Sequence, residues 1–280
     1  MRRAPGPGAR PRIMGVVNVT PDSFSDGGRL ANIEAALAHA LALDAAGADI
    51  LDIGGESTRP GAEPVDAAEE MARTLPLLTA LRPKTLRRLS IDTCKPEVAE
   101  AAVRVGADIW NDVSALGAPG APDLAARLGC EVVLMHMQGE PRTMQTSPHY
   151  DDVLAEVCAF LEARAGIALA AGVARERIWL DPGIGFGKTL EHNLALLAGL
   201  PALVGLGFPV LLGASRKRFI AAIGPGGEDP GDRLGGSLAA ALAGAQAGVA
   251  AVRVHDVAQT VQALEVQAAI AAGGGFSPGR

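Results

Sequence analysis

Residues 44–55 read DAAGADILDIGG: alanines suited to a helix, a glycine, then an apolar run that ends at Asp52 and two more glycines. Glycine is the usual residue just past a helix C-terminus, because it accepts a left-handed backbone. The run after it is short and apolar without alternation, which fits a strand buried on both faces of a parallel sheet. The same unit returns at VRVGADIWNDVS (103–114), ARLGCEVVLMHM (126–137), LAAGVARERIWLDPG (169–183) and AQAGVAAVRVHDV (245–257).

Three further apolar runs, RIMGVVNVT, RRLSIDTCK and FPVLLGASR, bring the expected strands to eight, near 12–18, 49–53, 88–92, 108–111, 131–136, 177–181, 209–213 and 250–254. Helical stretches separate them. Ile33, Leu37 and Leu41 recur every fourth residue on one face. Asp66 and Glu69 have capping-box spacing, and Pro96 suits a first helical turn. Eight β-then-α units in one chain predict an α/β fold, a (β/α)8 TIM barrel in a single domain over 12–272. Residues 1–11 and 273–280 read as a flexible leader and tail. An open doubly wound sheet is the alternative.

With 280 residues, 49% hydrophobic and 20% charged, the chain can bury a sizeable core. The net charge of −6 carries no global basic footprint for nucleic acid. The leader MRRAPGPGARPR lacks the apolar segment of a signal peptide, and no run is long enough to span a membrane. Cys94, Cys130 and Cys158 lack CxxC spacing, which fits a reduced, cytoplasmic protein. Cys94 follows a strand end but reads as an incidental small residue.

WLDPGIGFGKTLEHN (179–193) invites comparison with a phosphate-binding loop. Counting back from Gly187-Lys188-Thr189, the first required glycine falls on Pro182, which has no N–H to offer a phosphate. The dinucleotide pattern GxGxxG fails at Lys188. The stretch therefore reads as a strand, a flexible turn and a helix start, with Asp181 at the strand end and Lys188 as a solvated helix-start residue.

A barrel places its site at the C-terminal ends of its strands. Those exits carry Asn18, Asp52, Asp92, Asn111, His136, Asp181, Ser215 with Lys217, and Arg253 with His255. Any one of them could cap the following helix, but Lys217 and Arg253 are poor caps. Asp92, Asn111 and Asp181 offer acceptors and one amide donor, suited to an N–H-rich edge such as an aminopyrimidine. Lys217, Arg253 and His255 follow strands 7 and 8, where barrels often bind phosphate, and Ser215 sits at a helix start. The loops NVTPDSFSDGGRL and GGESTRPGAEPV are rich in turn residues and lie over the expected barrel mouth, as lids would.

Eight blocks in order, GVVNVTPDSFSDGG, DIGGESTRPGA, IDTCKPEVA, NDVSA, LMHMQGEPRTMQ, DPGIGFGKTLEHN, LLGASRKRFI and RVHDV, resemble the dihydropteroate synthases over residues 12–260. The resemblance implies condensation of (7,8-dihydropterin-6-yl)methyl diphosphate with 4-aminobenzoate, releasing diphosphate, with sulfonamides as competitors. It implies that Asp92, Asn111, Asp181 and Lys217 hold the pterin while Met135 and Phe186 line its faces, Asp92 and Lys217 being the catalytic candidates. Thr58, Arg59, Ser215, Arg253 and His255 are implied around diphosphate and 4-aminobenzoate. Asn18 is implied to help hold Mg2+, and the chain to be a homodimer. A methyltetrahydrofolate-corrinoid methyltransferase and a non-catalytic pterin-binding paralogue are the competing readings. The first has less need of SRK and RVHD, and the second should have lost them.

Overall fold

The computed structural model describes residues 10–19, 28–57, 64–224 and 227–273. Strands alternate with helices, singly up to β6 and in pairs on either side of β7. β1 (Arg12–Asn18), α1 (Gly28–Ala45), β2 (Ile50–Gly54), α2 (Ala67–Leu81), β3 (Arg88–Asp92) and α3 (Pro96–Arg104) form its first part. Then come β4 (Ile109–Asp112), α4 (Ala121–Leu128), β5 (Glu131–Met135), α5 (Val153–Ala170), β6 (Ile178–Asp181), α6 (Leu190–Ala198) and α7 (Leu200–Gly205). β7 (Leu211–Leu212), α8 (Arg218–Ala221), α9 (Leu234–Ala247), β8 (Ala251–Val254) and α10 (Val257–Ala271) complete it. The strands are parallel in the order β6-β5-β4-β3-β2-β1-β8-β7. A parallel bridge between Leu180 and Val210 joins the two ends, and Leu180 N donates to Pro209 O at 2.9 Å. The sheet is thus a closed barrel and not an open doubly wound sheet. Among the described residues no helix is long and apolar enough to cross a membrane.

The repeated glycines do what the sequence asks. Gly47, Gly106, Gly129, Gly172 and Gly248 all have positive φ, between 63° and 112°. The aspartate of each GAD repeat then fastens the strand beside it. Asp49 Oδ2 accepts the Ile13 N–H at 2.9 Å, and Asp108 Oδ2 accepts the Leu89 N–H at 2.8 Å. Arg10 reaches Asp49 at 2.7 Å and Arg82 reaches Asp108 at 3.2 Å. Arg10 and the buried Pro11 therefore belong to the packed body, inside the span assigned to the leader. Residues 1–9 and 274–280 lie outside the described residues.

Strand side chains alternate between two cores. Ile13, Val17, Leu51, Ile53, Leu89, Ile91, Trp110 and Leu134 face the helices. Met14, Ile50, Ile109, Val133, Trp179 and Leu211 fill the barrel itself. α1 shows where a simple period misleads. Among its described side chains the buried ones are Ala36, Ala40 and Leu43, whereas Leu37 and Leu41 only flank that core. The alanine stripe lets the helix sit close to β1, where a Cβ on Gly15 would lie 3.1 Å from Leu43. Of the other local expectations, Asp66 Oδ1 accepts the Glu69 N–H at 2.8 Å and Pro96 opens α3.

Candidate active site

The parity that fills the barrel also builds its mouth. Two residues beyond the inward-facing Ile50, Ser90, Ile109, Val133, Trp179, Leu211 and Ala251 stand Asp52, Asp92, Asn111, Met135, Asp181, Gly213 and Arg253. Each of these faces the same way as the core residue before it. A largely polar crown, interrupted by Met135 and Gly213, therefore closes the C-terminal end of an apolar barrel, and Asn18 stands at the β1 exit paired with Gly54.

Arg253 sits across this crown. Its Nε donates to Asp52 Oδ2 at 2.6 Å and its Nη2 to Asp92 Oδ2 at 2.8 Å. Asn111 Nδ2 also donates to Asp52 Oδ2, at 3.2 Å. Burial raises the Asp92 carboxyl to about 7, with Arg253 pulling it down and Asp52 pushing it further up. Burial likewise raises Asp181, whose Oδ1 accepts the Gly183 N–H at 2.7 Å. Asp52 is fully buried, and its Oδ1 has no partner among the described residues.

The cationic side lies where β7 and β8 end. Lys217 Nζ stands 4.0 Å from the centre of the Phe186 ring, a cation–π contact. Burial, with Arg253 beside it, lowers Lys217 to about 8. Ser215 Oγ lies 3.1 Å from His255 Nδ1 and accepts the His255 N–H at 3.3 Å. Burial and the adjacent Arg253 hold His255 down to about 3, so its imidazole is neutral. Between Ser215 and Lys217, Arg216 has φ 58°, a left-handed backbone that ordinary residues rarely adopt. Three grips hold it there. Its N–H donates to Ser237 Oγ at 2.9 Å, its carbonyl accepts from Arg233 Nη1 at 2.9 Å, and its guanidinium meets Asp256 at 3.0 and 2.5 Å.

The barrel mouth thus brings together Asp92, Asn111, Met135, Asp181, Phe186 and Lys217, with Ser215, Arg253, His255 and Asn18 at the adjoining exits. Thr58 and Arg59 lie outside the described residues, as do the rest of 58–63 in the second long loop and 20–27 in the first. Asp256, the neighbouring acid on the chain, pairs with Arg216, while Arg253 turns into the barrel. Lys188 is also placed differently from expectation: it is buried, 3% exposed, with Nζ 2.9 Å from His136 Nδ1 and donating to Phe186 O at 2.9 Å. Cys94 is not primed for reaction, since burial raises its thiol to about 11.

The pterin binding enzyme family matches this chain over residues 14–255, nearly the whole barrel. The chain belongs to that family. A dihydropteroate synthase of Escherichia coli (strain K12) is 47% identical over 258 residues, 92% of this chain and 91% of the relative. One from Neisseria meningitidis serogroup B is 50% identical, covering 93% of both. Among solved structures, Xanthomonas albilineans dihydropteroate synthase with 4-aminobenzoic acid superposes with a TM-score of 0.89 at 54% identity, over 95% of this chain and 94% of that one. The enzyme from the same organism in complex with 7,8-dihydropteroate gives 0.86 at 51% identity, over 95% of both. This pterin-binding enzyme is therefore a transferase of the dihydropteroate synthase branch.

Three residues of this pterin-binding enzyme escaped the site read from sequence. Asp52 was visible as a strand exit, and its spacing from Ile50 was the signal that it joins the crown. Arg216 carries no signal, because a left-handed arginine looks like any other arginine in SRK. Lys188 follows three glycines, and nothing local tells a solvated lysine from a buried one.

Proposed function

We propose that this barrel joins (7,8-dihydropterin-6-yl)methyl diphosphate to 4-aminobenzoate, with the crown of Asp92, Asn111 and Asp181 receiving the pterin and the β7–β8 exits receiving the diphosphate. The observation that carries the assignment of groups is the split of the mouth into an acceptor side and a cation side. The pterin edge is rich in N–H donors and suits carboxylates and a side-chain amide. Phe186, backed by Lys217 at 4.0 Å, offers a ring face on which the pterin can stack, and Met135 offers a soft apolar one. Ser215, His255 and Arg253 supply donors to an anion, and Thr58 and Arg59 would join them from the second loop.

In the reaction the methylene C–O bond breaks, the arylamine nitrogen forms a C–N bond to that carbon, and diphosphate leaves with the electron pair. The amine then gives its proton to solvent. The electron-rich pterin spreads the positive charge that develops as the C–O bond lengthens. The Asp92 carboxylate, fixed by Arg253, is placed to steady that charge without reorganising. No covalent enzyme intermediate is needed, and the three cysteines have no step to perform. Asn18 would hold Mg2+ through its amide oxygen, and the ion when bound would neutralise charge on the leaving diphosphate. A single protein oxygen suits Mg2+, which keeps waters and takes substrate phosphates as ligands. Among the described residues no group of three His, Cys, Asp or Glu stands ready to hold a metal by itself.

Turnover with the two substrates, followed by diphosphate release, tests the reading. Product should form only when both are present, and its absence would sink the assignment. A cytoplasmic homodimer is the expected setting, resting on the resemblance and on three unpaired thiols. Elution from gel filtration at the mass of a monomer would refute the dimer.

A further inference from the structure

The turn after β6 has the wrong composition for a rigid platform. Gly183, Gly185 and Gly187 alternate through it with φ of 65°, 82° and 60°, and glycine has the most conformational freedom to lose. Yet this turn must present Asp181 and Phe186 to the ligand. Something outside the turn has to hold its shape.

Lys188 is placed to do so. Its ammonium reaches His136, the residue after the inward-facing Met135 and of opposite parity, and it also feels the charges of Asp181 and Lys217. The ammonium meets three acceptors for its three N–H groups: His136 Nδ1 at 2.9 Å, Phe186 O at 2.9 Å and His136 O at 3.4 Å. His136 is itself pinned, with the Phe160 ring edge-on at 4.9 Å. The Gly183 backbone packs against the same His136 carbonyl, which a Cβ would meet at 1.9 Å. Tyr150 donates to Gly187 O at 2.8 Å and Gln145 to Gly185 O at 2.5 Å, so the glycine turn is held carbonyl by carbonyl. A buried amine is costly, and an apolar side chain would fill the space more cheaply if only packing were required.

We propose that Lys188 is a positioning residue for the pterin, tying the β5 exit to the β6 turn so that Phe186 and Asp181 are held in place. This rests on the pterin reading of the crown. Burial lowers His136 to about 3, which leaves its imidazole neutral and its Nδ1 free to accept. Burial also lowers Lys188 to about 7, with the Asp181 carboxylate favouring the ammonium and Lys217 opposing it.

The test is Lys188→Met, which keeps the stem and removes all three donors. The KM for the dihydropterin diphosphate should rise about tenfold or more, the effect of losing one charge-assisted hydrogen bond from the clamp. The KM for 4-aminobenzoate should stay within about twofold, well below the tenfold step of a lost contact. His136→Phe should move the pterin KM in the same direction, and the double variant should be no worse than Lys188→Met, as expected of partners in one contact. If Lys188→Met fails to fold, His136→Phe carries the test through the same split between the two KM values. An active wild type with an unchanged pterin KM in the variants overturns the inference, as do equal losses for both substrates. A wild type that makes no product would overturn the pterin reading instead.

Discussion

Asp92 is held by opposing demands. Its carboxylate must be ionised to steady positive charge, yet burial raises it to about 7 from an ordinary 3.8. An acid with a raised folded-state pKa binds its proton more tightly when folded, so its contribution to stability falls as pH rises from about 4 to about 7. Asp92→Asn should therefore cut turnover by about 10²–10³ at pH 8, the usual loss of a preorganised electrostatic partner. The melting temperature of the variant should fall less steeply than that of the wild type over the same pH interval. Near wild-type turnover, or parallel melting curves, would contradict the assignment. Arg253 needs the same double reading, because Nε and Nη2 are committed to Asp52 and Asp92. Arg253→Ala removes a donor to diphosphate and also leaves two carboxylates without their partner. Binding of the diphosphate-bearing pterin should weaken by about ten- to a hundredfold, in line with a charge-assisted contact, while the neutral pterin alcohol loses less. Equal losses in parallel titrations would reduce Arg253 to a partner for the carboxylates.

At the scale of elements, what was legible followed from backbone rules, and what was not depended on distant partners. The glycine before five of the strands announced a left-handed helix end, and all five have positive φ. The buried face of α1 was displaced to Ala36 and Ala40, because close approach to β1 favours small residues over a line of larger ones. Lys188 could not be read at all, since its acceptors lie on His136, 52 residues away, and on Phe186. Two glycines make the contrast measurable. Gly183→Ala would set a Cβ 1.9 Å from His136 O at a φ of 65°, so it should destabilise the protein by about 3 kcal/mol or more. Gly166 stands exposed within α5 with no atom in the way, and Gly166→Ala should stabilise by about 0.5–1 kcal/mol. Chemical denaturation of the two variants checks both signs.

Across the whole molecule the barrel divides into an end that reacts and an end that holds. The eightfold repeat made this division readable from sequence, because strand exits could be named before any contact was known. The opposite end could not be read, since it depends on side chains from four strands meeting inside the barrel. There Trp179 Nε1 donates to Glu131 Oε2 at 2.6 Å, Arg88 Nη1 donates to the same oxygen at 2.8 Å, and the Arg12 guanidinium lies 5.5 Å from the Trp179 ring centre. Glu131 is four residues before Met135 on β5, about 13 Å along a strand rising ~3.3 Å per residue. The apolar layer of Met14, Ile50, Ile109 and Val133 lies between it and the crown. Glu131→Ala leaves Trp179 N–H without its acceptor and Arg88 without its carboxylate, which should cost about 1–3 kcal/mol. Because that loss falls at the stability end of the barrel, kcat and both KM values should remain those of the wild type at temperatures where the variant is folded. A variant that melts earlier yet turns over normally fits this division of the barrel. A change in the pterin KM would show that strain at the barrel's base reaches the crown through the packed layer.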